Sequence, residues 1–189
     1  MIILLGFPKT ASMSFDYLFT QLGLKSLHWS YDGNYIGYLI YQAKRENKPL
    51  LYYFNGIDAI TEMNVCIYKE YNYWPQLELY KELYEQNQDS IFILNRRDPY
   101  KLLESWKNWG PLYTNFTTFN PDLLNKYQGT TDEKFIQMVN DHYNNILNYF
   151  KDIPDAKFIE YNIDTDTIDK LKPFIDIKDI TELPHIKIN

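Results

Sequence analysis

Short apolar runs alternate with amphipathic stretches along most of this chain. Ile2, Ile3, Leu4 and Leu5 form one continuous run, closed by Gly6. Such a run suits a strand covered on both faces, as in a parallel sheet. Beyond a short loop, Phe15, Leu18, Phe19 and Leu22 recur at i, i+3, i+4 and i+7, one face of a helix. Ser12 or Ser14 is placed to cap that helix and Gly23 to end it. Residues 25–29 read as a short extended piece. Residues 35–46 carry Ile36, Leu39, Ile40 and Ala43 on one helical face, with Lys44 and Arg45 near the C-terminal end and Pro49 beyond it. After an aromatic-rich connector, Ile57, Ala59 and Ile60 mark a second strand that ends near Glu62.

Residues 65–74 read as irregular. Pro75 opens a helix whose core face is Leu77, Leu79, Tyr80, Leu83 and Tyr84. Residues 90–95 read as a strand, and Asp98 and Pro99 as the N-cap and first position of a helix over 100–109. Residues 110–129, with Pro111 and Pro121, read as a long connection of the kind that often serves as a lid or binding loop. Thr130 and Glu133 predict a capping box before a helix running to about Lys151. Residues 157–161 make a further strand, and Asp164 or Thr165 caps a last helix over 167–174. Repeated strand–helix units predict an α/β fold of three layers, α/β/α, with a mostly parallel central sheet and helices on both sides.

Composition narrows the function. At 189 residues the expectation is one domain, 1–189, with a full core. A net charge of −6 without a basic block argues against a general nucleic-acid binder. The single cysteine, Cys66, leaves no internal disulfide and no cysteine-based metal cluster. No stretch is long enough to span a membrane and none reads as a signal peptide, so a reducing cytoplasm is the expected location. Tyrosine occurs 18 times, beside Trp29, Trp74, Trp106 and Trp109. Such residues are more often core and rim than substrate platforms.

The chemistry concentrates in two stretches. In the first, residues 6–14 (GFPKTASMS) join the first strand to the first helix. A turn of this kind aims free backbone N–H groups and a helix dipole at one spot. Lys9 adds a full charge, and Thr10, Ser12 and Ser14 add hydroxyls, which makes a site for phosphate or sulfate. The plainer reading is an ordinary turn with a solvated lysine. The Walker A pattern is absent, because Lys9 follows Gly6 by three residues with no second glycine before it. The second stretch is FILNRRDPYKLLESW, in which Arg97 ends a strand and Ser105 lies on the following helix. Arginine suits phosphate because its planar fork binds it bidentately.

Both stretches resemble the sulfotransferases. The first is similar to the family's 5′-phosphosulfate loop, G-x-P-K-[ST]-G-T-[ST]: Gly6, Pro8, Lys9 and Thr10 match, and Ser12 stands for the first threonine of the motif. Ala11 replaces the usual glycine and Met13 a hydroxyl residue. The second is similar to the pattern R-D-P-x-x-x-x-x-S, matched by Arg97, Asp98, Pro99 and Ser105. The tail, with Pro184 and His185, is also similar. The resemblance implies a P-loop NTPase-like fold and transfer of a sulfuryl group from 3′-phosphoadenosine-5′-phosphosulfate, leaving adenosine 3′,5′-bisphosphate, without a metal. It implies that Lys9, Thr10, Ala11, Ser12, Met13 and Ser14 hold the 5′ end and that Arg97 and Ser105 hold the 3′-phosphate. The acceptor is then a hydroxyl or amine on a small molecule or carbohydrate.

Such an acceptor needs a general base, for which the family uses His or Glu. Glu62, at the end of a predicted strand, is the first candidate, His28 the second and Asp58 the third. Lys9 would join them as a catalytic group. Two other readings stay open: a P-loop kinase or nucleotidase, and a non-catalytic relative that Ala11 and Met13 would suit. Neither the acceptor's identity nor the oligomeric state is legible.

Overall fold

The computed structural model describes residues 1–186. The chain runs β1 (Ile2–Leu4), α1 (Ser12–Gln21), β2 (Ser26–His28), β3 (Ser30–Tyr31), β4 (Asn34–Tyr35), α2 (Ile36–Arg45) and β5 (Ala59–Glu62). It continues through β6 (Val65–Tyr68), β7 (Tyr71–Tyr73), α3 (Pro75–Glu78), α4 (Tyr80–Gln86), β8 (Ile91–Arg96) and α5 (Pro99–Lys107). Then come α6 (Leu112–Phe119), α7 (Pro121–Asn125), α8 (Thr131–Lys151), β9 (Phe158–Asn162) and a 3₁₀ turn, Ile168–Leu171.

The architecture is α/β. Five parallel strands form the central sheet in the order β2-β5-β1-β8-β9, with Ile2 opposite both Ala59 and Ile91. β1 sits in the middle because its residues are apolar on both sides. Alternation along it feeds two cores. Ile3 and Leu5 face α2, α4, α5 and α8, among Ile40, Leu83, Leu102 and Val139. Ile2 and Leu4 face α1 and the 3₁₀ turn, among Phe15, Leu18 and Leu171. The chain winds first to the β5 side of β1 and later to the β8 side, so β1 is a topological switch point. In such sheets the ligand crevice lies at the C-terminal ends of the flanking strands. That edge carries residues 6–11, Glu62 and Arg97.

Several sequence expectations change. Residues 65–74 are not irregular: β6 and β7 pair antiparallel, Val65 with Tyr73 and Cys66 with Asn72. Their β-branched and aromatic residues favour strands, and Tyr71 and Tyr73 pack on Tyr38 of α2. The long connection 110–129 folds into α6 and α7. The helix opened by Pro75 breaks at Leu79, giving α3 and α4. The helix expected over 167–174 shrinks to one 3₁₀ turn with Thr167, not Asp164 or Thr165, at its N-cap. Neither Ser12 nor Ser14 caps α1; the N-cap is Ala11, with no side-chain bond. The capping box of Thr130 and Glu133 is present, and Asp98 caps α5 by accepting from the N–H groups of Tyr100 and Lys101. Of the tail, residues 187–189 lie outside the described residues.

Candidate active site

The loop after β1 is tied down through its carbonyls. The Leu5 carbonyl accepts from His142 Nε2 at 2.9 Å, and that of Phe7 from Thr10 Oγ1 at 2.6 Å. The Pro8 carbonyl accepts from Trp106 Nε1 at 2.8 Å, and that of Thr10 from Asn95 Nδ2 at 2.9 Å. Asn95 also donates to Thr10 Oγ1 and accepts from the Gly6 N–H. Gly6 permits this approach: a Cβ there would collide with the Asn95 backbone oxygen. With its carbonyls turned into the fold, the loop leaves its donors for the crevice. Among the described residues no backbone carbonyl accepts from the N–H groups of residues 9–14. Lys9 and Ala11 take left-handed φ angles of 70° and 65°.

Lys9 stands at the centre. Its Nζ lies 3.6 Å from the centroid of the Trp109 ring, a cation–π contact. Burial lowers its pKa, Arg97 nearby lowers it further, and Glu62 opposes both. Ser12, Met13 and Ser14 line the same cavity, of about 1200 Å³. Thr10 does not offer its hydroxyl there, because the Phe7 carbonyl and Asn95 engage it.

On the β5 side, Ser12 Oγ donates to Glu62 Oε2 at 2.6 Å. His28 Nε2 lies 3.7 Å from the same oxygen, too long for a hydrogen bond. Its Nδ1 is 3.2 Å from Thr61 Oγ1, which itself donates to the Leu27 carbonyl. A hydroxyl with its one proton spent can only accept, so Nδ1 carries the proton and Nε2 faces Glu62. Lys9, Glu62 and His28 therefore converge. Asp58 does not: it lies at the opposite end of β5, where its Oδ2 accepts from the Lys25 N–H at 2.8 Å.

On the β8 side, Arg97 Nη1 donates to the Lys9 carbonyl at 3.3 Å. Its Nε is buried with no partner, and among the described residues it forms no ion pair. A buried guanidinium nitrogen without an acceptor is costly and suits an incoming anion. Ser105 shares with Arg97, Lys9 and Trp109 a smaller hollow of about 390 Å³. The two stretches picked from sequence thus meet around Lys9.

A family model described as a sulfotransferase domain matches residues 1–161. The chain belongs to this family. Among curated proteins, none matches it. Membership carries sulfotransferase activity in general, and the crevice beside Lys9 is where the family's loop pattern falls. Sequence reasoning missed three contributors: Asn95, His142 and Trp106, which hold the loop from β8, α8 and α5. All three are buried, and a buried polar residue inside an apolar run, as Asn95 is in FILNR, was the available signal.

Proposed function

We propose that this sulfotransferase uses 3′-phosphoadenosine-5′-phosphosulfate as donor and a hydroxyl compound as acceptor. One observation carries the reading: a loop whose Leu5, Phe7, Pro8 and Thr10 carbonyls are engaged within the fold presents N–H groups and Lys9 beside Arg97, whose buried Nε lacks a partner. The loop donors and Lys9 would hold the 5′-phosphosulfate, and Arg97 with Ser105 the 3′-phosphate. In the transfer the acceptor oxygen bonds to sulfur as the sulfur–oxygen bond to the 5′-phosphate breaks. The leaving phosphate oxygen takes the electron pair, and Lys9 and the loop N–H groups stabilise the charge where it develops. Glu62 accepts the acceptor's proton, with His28 beside it; Ser12 orients the carboxylate. The work is positioning and electrostatics, as in phosphoryl transfer.

The test needs no knowledge of the acceptor, since water can serve slowly. Sulfate and adenosine 3′,5′-bisphosphate should be released from the donor above the buffer rate. Lys9→Ala should lower that release by about 10²–10³-fold, the range for losing one preorganised charge-stabilising donor. Release indifferent to Lys9 would contradict the assignment. Tight nucleotide binding without any release would favour a non-catalytic relative.

A further inference from the structure

β2 and β5 do not pair evenly. Ser26 lies opposite Ala59 and Leu27 opposite Ile60, but His28 lies opposite Glu62, which leaves Thr61 as an extra residue on β5. Strict alternation along a strand sends neighbouring side chains to opposite faces. Ala59 and Ile60 obey it, one in each core. Thr61 and Glu62 do not: both meet the His28 imidazole, Thr61 at Nδ1 and Glu62 at Nε2. A bulge beside an active site re-aims side chains in this way.

Thr61 is 2% exposed. Its β-branched side chain has few rotamers, and its hydroxyl donates to the Leu27 carbonyl at 3.1 Å. Toward Nδ1, 3.2 Å away, Oγ1 therefore offers a lone pair alone. The consequence falls on the other side of the ring. An imidazole with its proton on Nδ1 carries a lone pair on Nε2, so His28 gives no hydrogen bond to the Glu62 carboxylate 3.7 Å away. Ser12 supplies that carboxylate's donor instead. The reverse tautomer would donate to Glu62, stabilise the carboxylate before transfer and weaken it as a proton acceptor.

Resting on the donor reading above, we propose that Thr61 is a positioning residue: held at the bulge, it fixes the His28 tautomer so that His28 stabilises Glu62 only after Glu62 has taken the acceptor's proton. The proton leaves the acceptor hydroxyl for Glu62 as the acceptor oxygen bonds to sulfur. The new carboxyl O–H then donates to the Nε2 lone pair, and the gap between them narrows to a hydrogen bond. An interaction made only as the proton moves speeds transfer without tightening substrate binding.

Nitrogen NMR of isotope-labelled imidazoles tells the two tautomers apart at mildly alkaline pH, where the ring is neutral. His28→Gln identifies the His28 signals among the three histidines. The native chain should carry the proton on Nδ1. Thr61→Val keeps the branched shape and loses the hydroxyl. It should move the proton to Nε2 and lower sulfate release from the donor, with water as acceptor, by about tenfold, while bisphosphate affinity stays unchanged. Thr61→Ser keeps the hydroxyl and should keep both the Nδ1–H tautomer and release within about threefold of native. A native Nε2–H tautomer would overturn the proposal. So would a Thr61→Val chain that switches tautomer at native release, or a Thr61→Ser chain as slow as Thr61→Val. A native chain that shows Nδ1–H, and its switch in Thr61→Val, but releases no sulfate above the buffer rate would instead sink the donor reading alone.

Discussion

Lys9 and Ala11 both occupy the left-handed region, where an L residue costs roughly 1–2 kcal/mol. The family's glycine at position 11 is thereby explained, and so is the penalty of alanine. Ala11→Gly removes the strain but loosens the unfolded chain by about 0.4–1 kcal/mol. The net expectation is a gain of about 0.5–1 kcal/mol, read as a higher urea midpoint; a loss would mean the alanine is unstrained. Glu62 tests the proton's destination. Glu62→Gln keeps an oxygen for Ser12 Oγ, so bisphosphate affinity should hold while turnover falls about 10²–10⁴-fold. Near-normal turnover would move the base role to His28.

At the scale of elements, the site is a junction of β1 with β8, α5 and α8. Asn95→Asp keeps the acceptor for the Gly6 N–H but loses both donors to Thr10. It also sets a carboxylate behind an anion loop. Bisphosphate affinity should drop at least about tenfold, with the fold checked by circular dichroism; unchanged affinity would mean that Asn95 does not position the loop. His142, on α8, is buried, and burial lowers its pKa from 6.5 to about 4. The unfolded chain therefore binds the proton first, so this contribution to stability is present above pH 6.5 and is lost as pH falls toward about 4. His142→Gln removes the titration, and its stability should decline less steeply than the native protein's across that window. Equal slopes would place the acid sensitivity elsewhere.

The same scale explains what the sequence could yield. The apolar period revealed β1, α1, α2, β5, β8, α8 and β9, because a buried face imposes its own spacing. It hid the β6–β7 hairpin, where tyrosines on an aromatic surface replace clean alternation, and it hid α6 and α7 behind two prolines. Lys9, Arg97 and Ser105 were legible because local motifs carry them, and Glu62 because it ends a strand. Thr10 misled, since its hydroxyl turns inward, and so did Asp58, at the wrong end of β5. Asn95, Trp106 and His142 act across 85 or more residues of sequence, a separation no local pattern reports.

For the whole molecule, a net charge of −6 contrasts with the cations gathered at the sheet's C-terminal edge. The fold brings Lys9 and Arg97 together where β1 and β8 end, in a crevice that Glu62, Asp164, Asp166 and Glu182 also line. No helix among the described residues is long and apolar enough to cross a membrane. The central claim is that the Lys9 loop and Arg97 with Ser105 form one nucleotide site. Calorimetry of adenosine 3′,5′-bisphosphate against AMP and ATP, repeated with Arg97→Ala, tests it most directly. The bisphosphate should bind tightest, and Arg97→Ala should weaken it by about 10–100-fold, the worth of a charged hydrogen bond, while AMP binding barely changes. Preference for ATP, or an Arg97→Ala loss equal for AMP and the bisphosphate, would contradict the account.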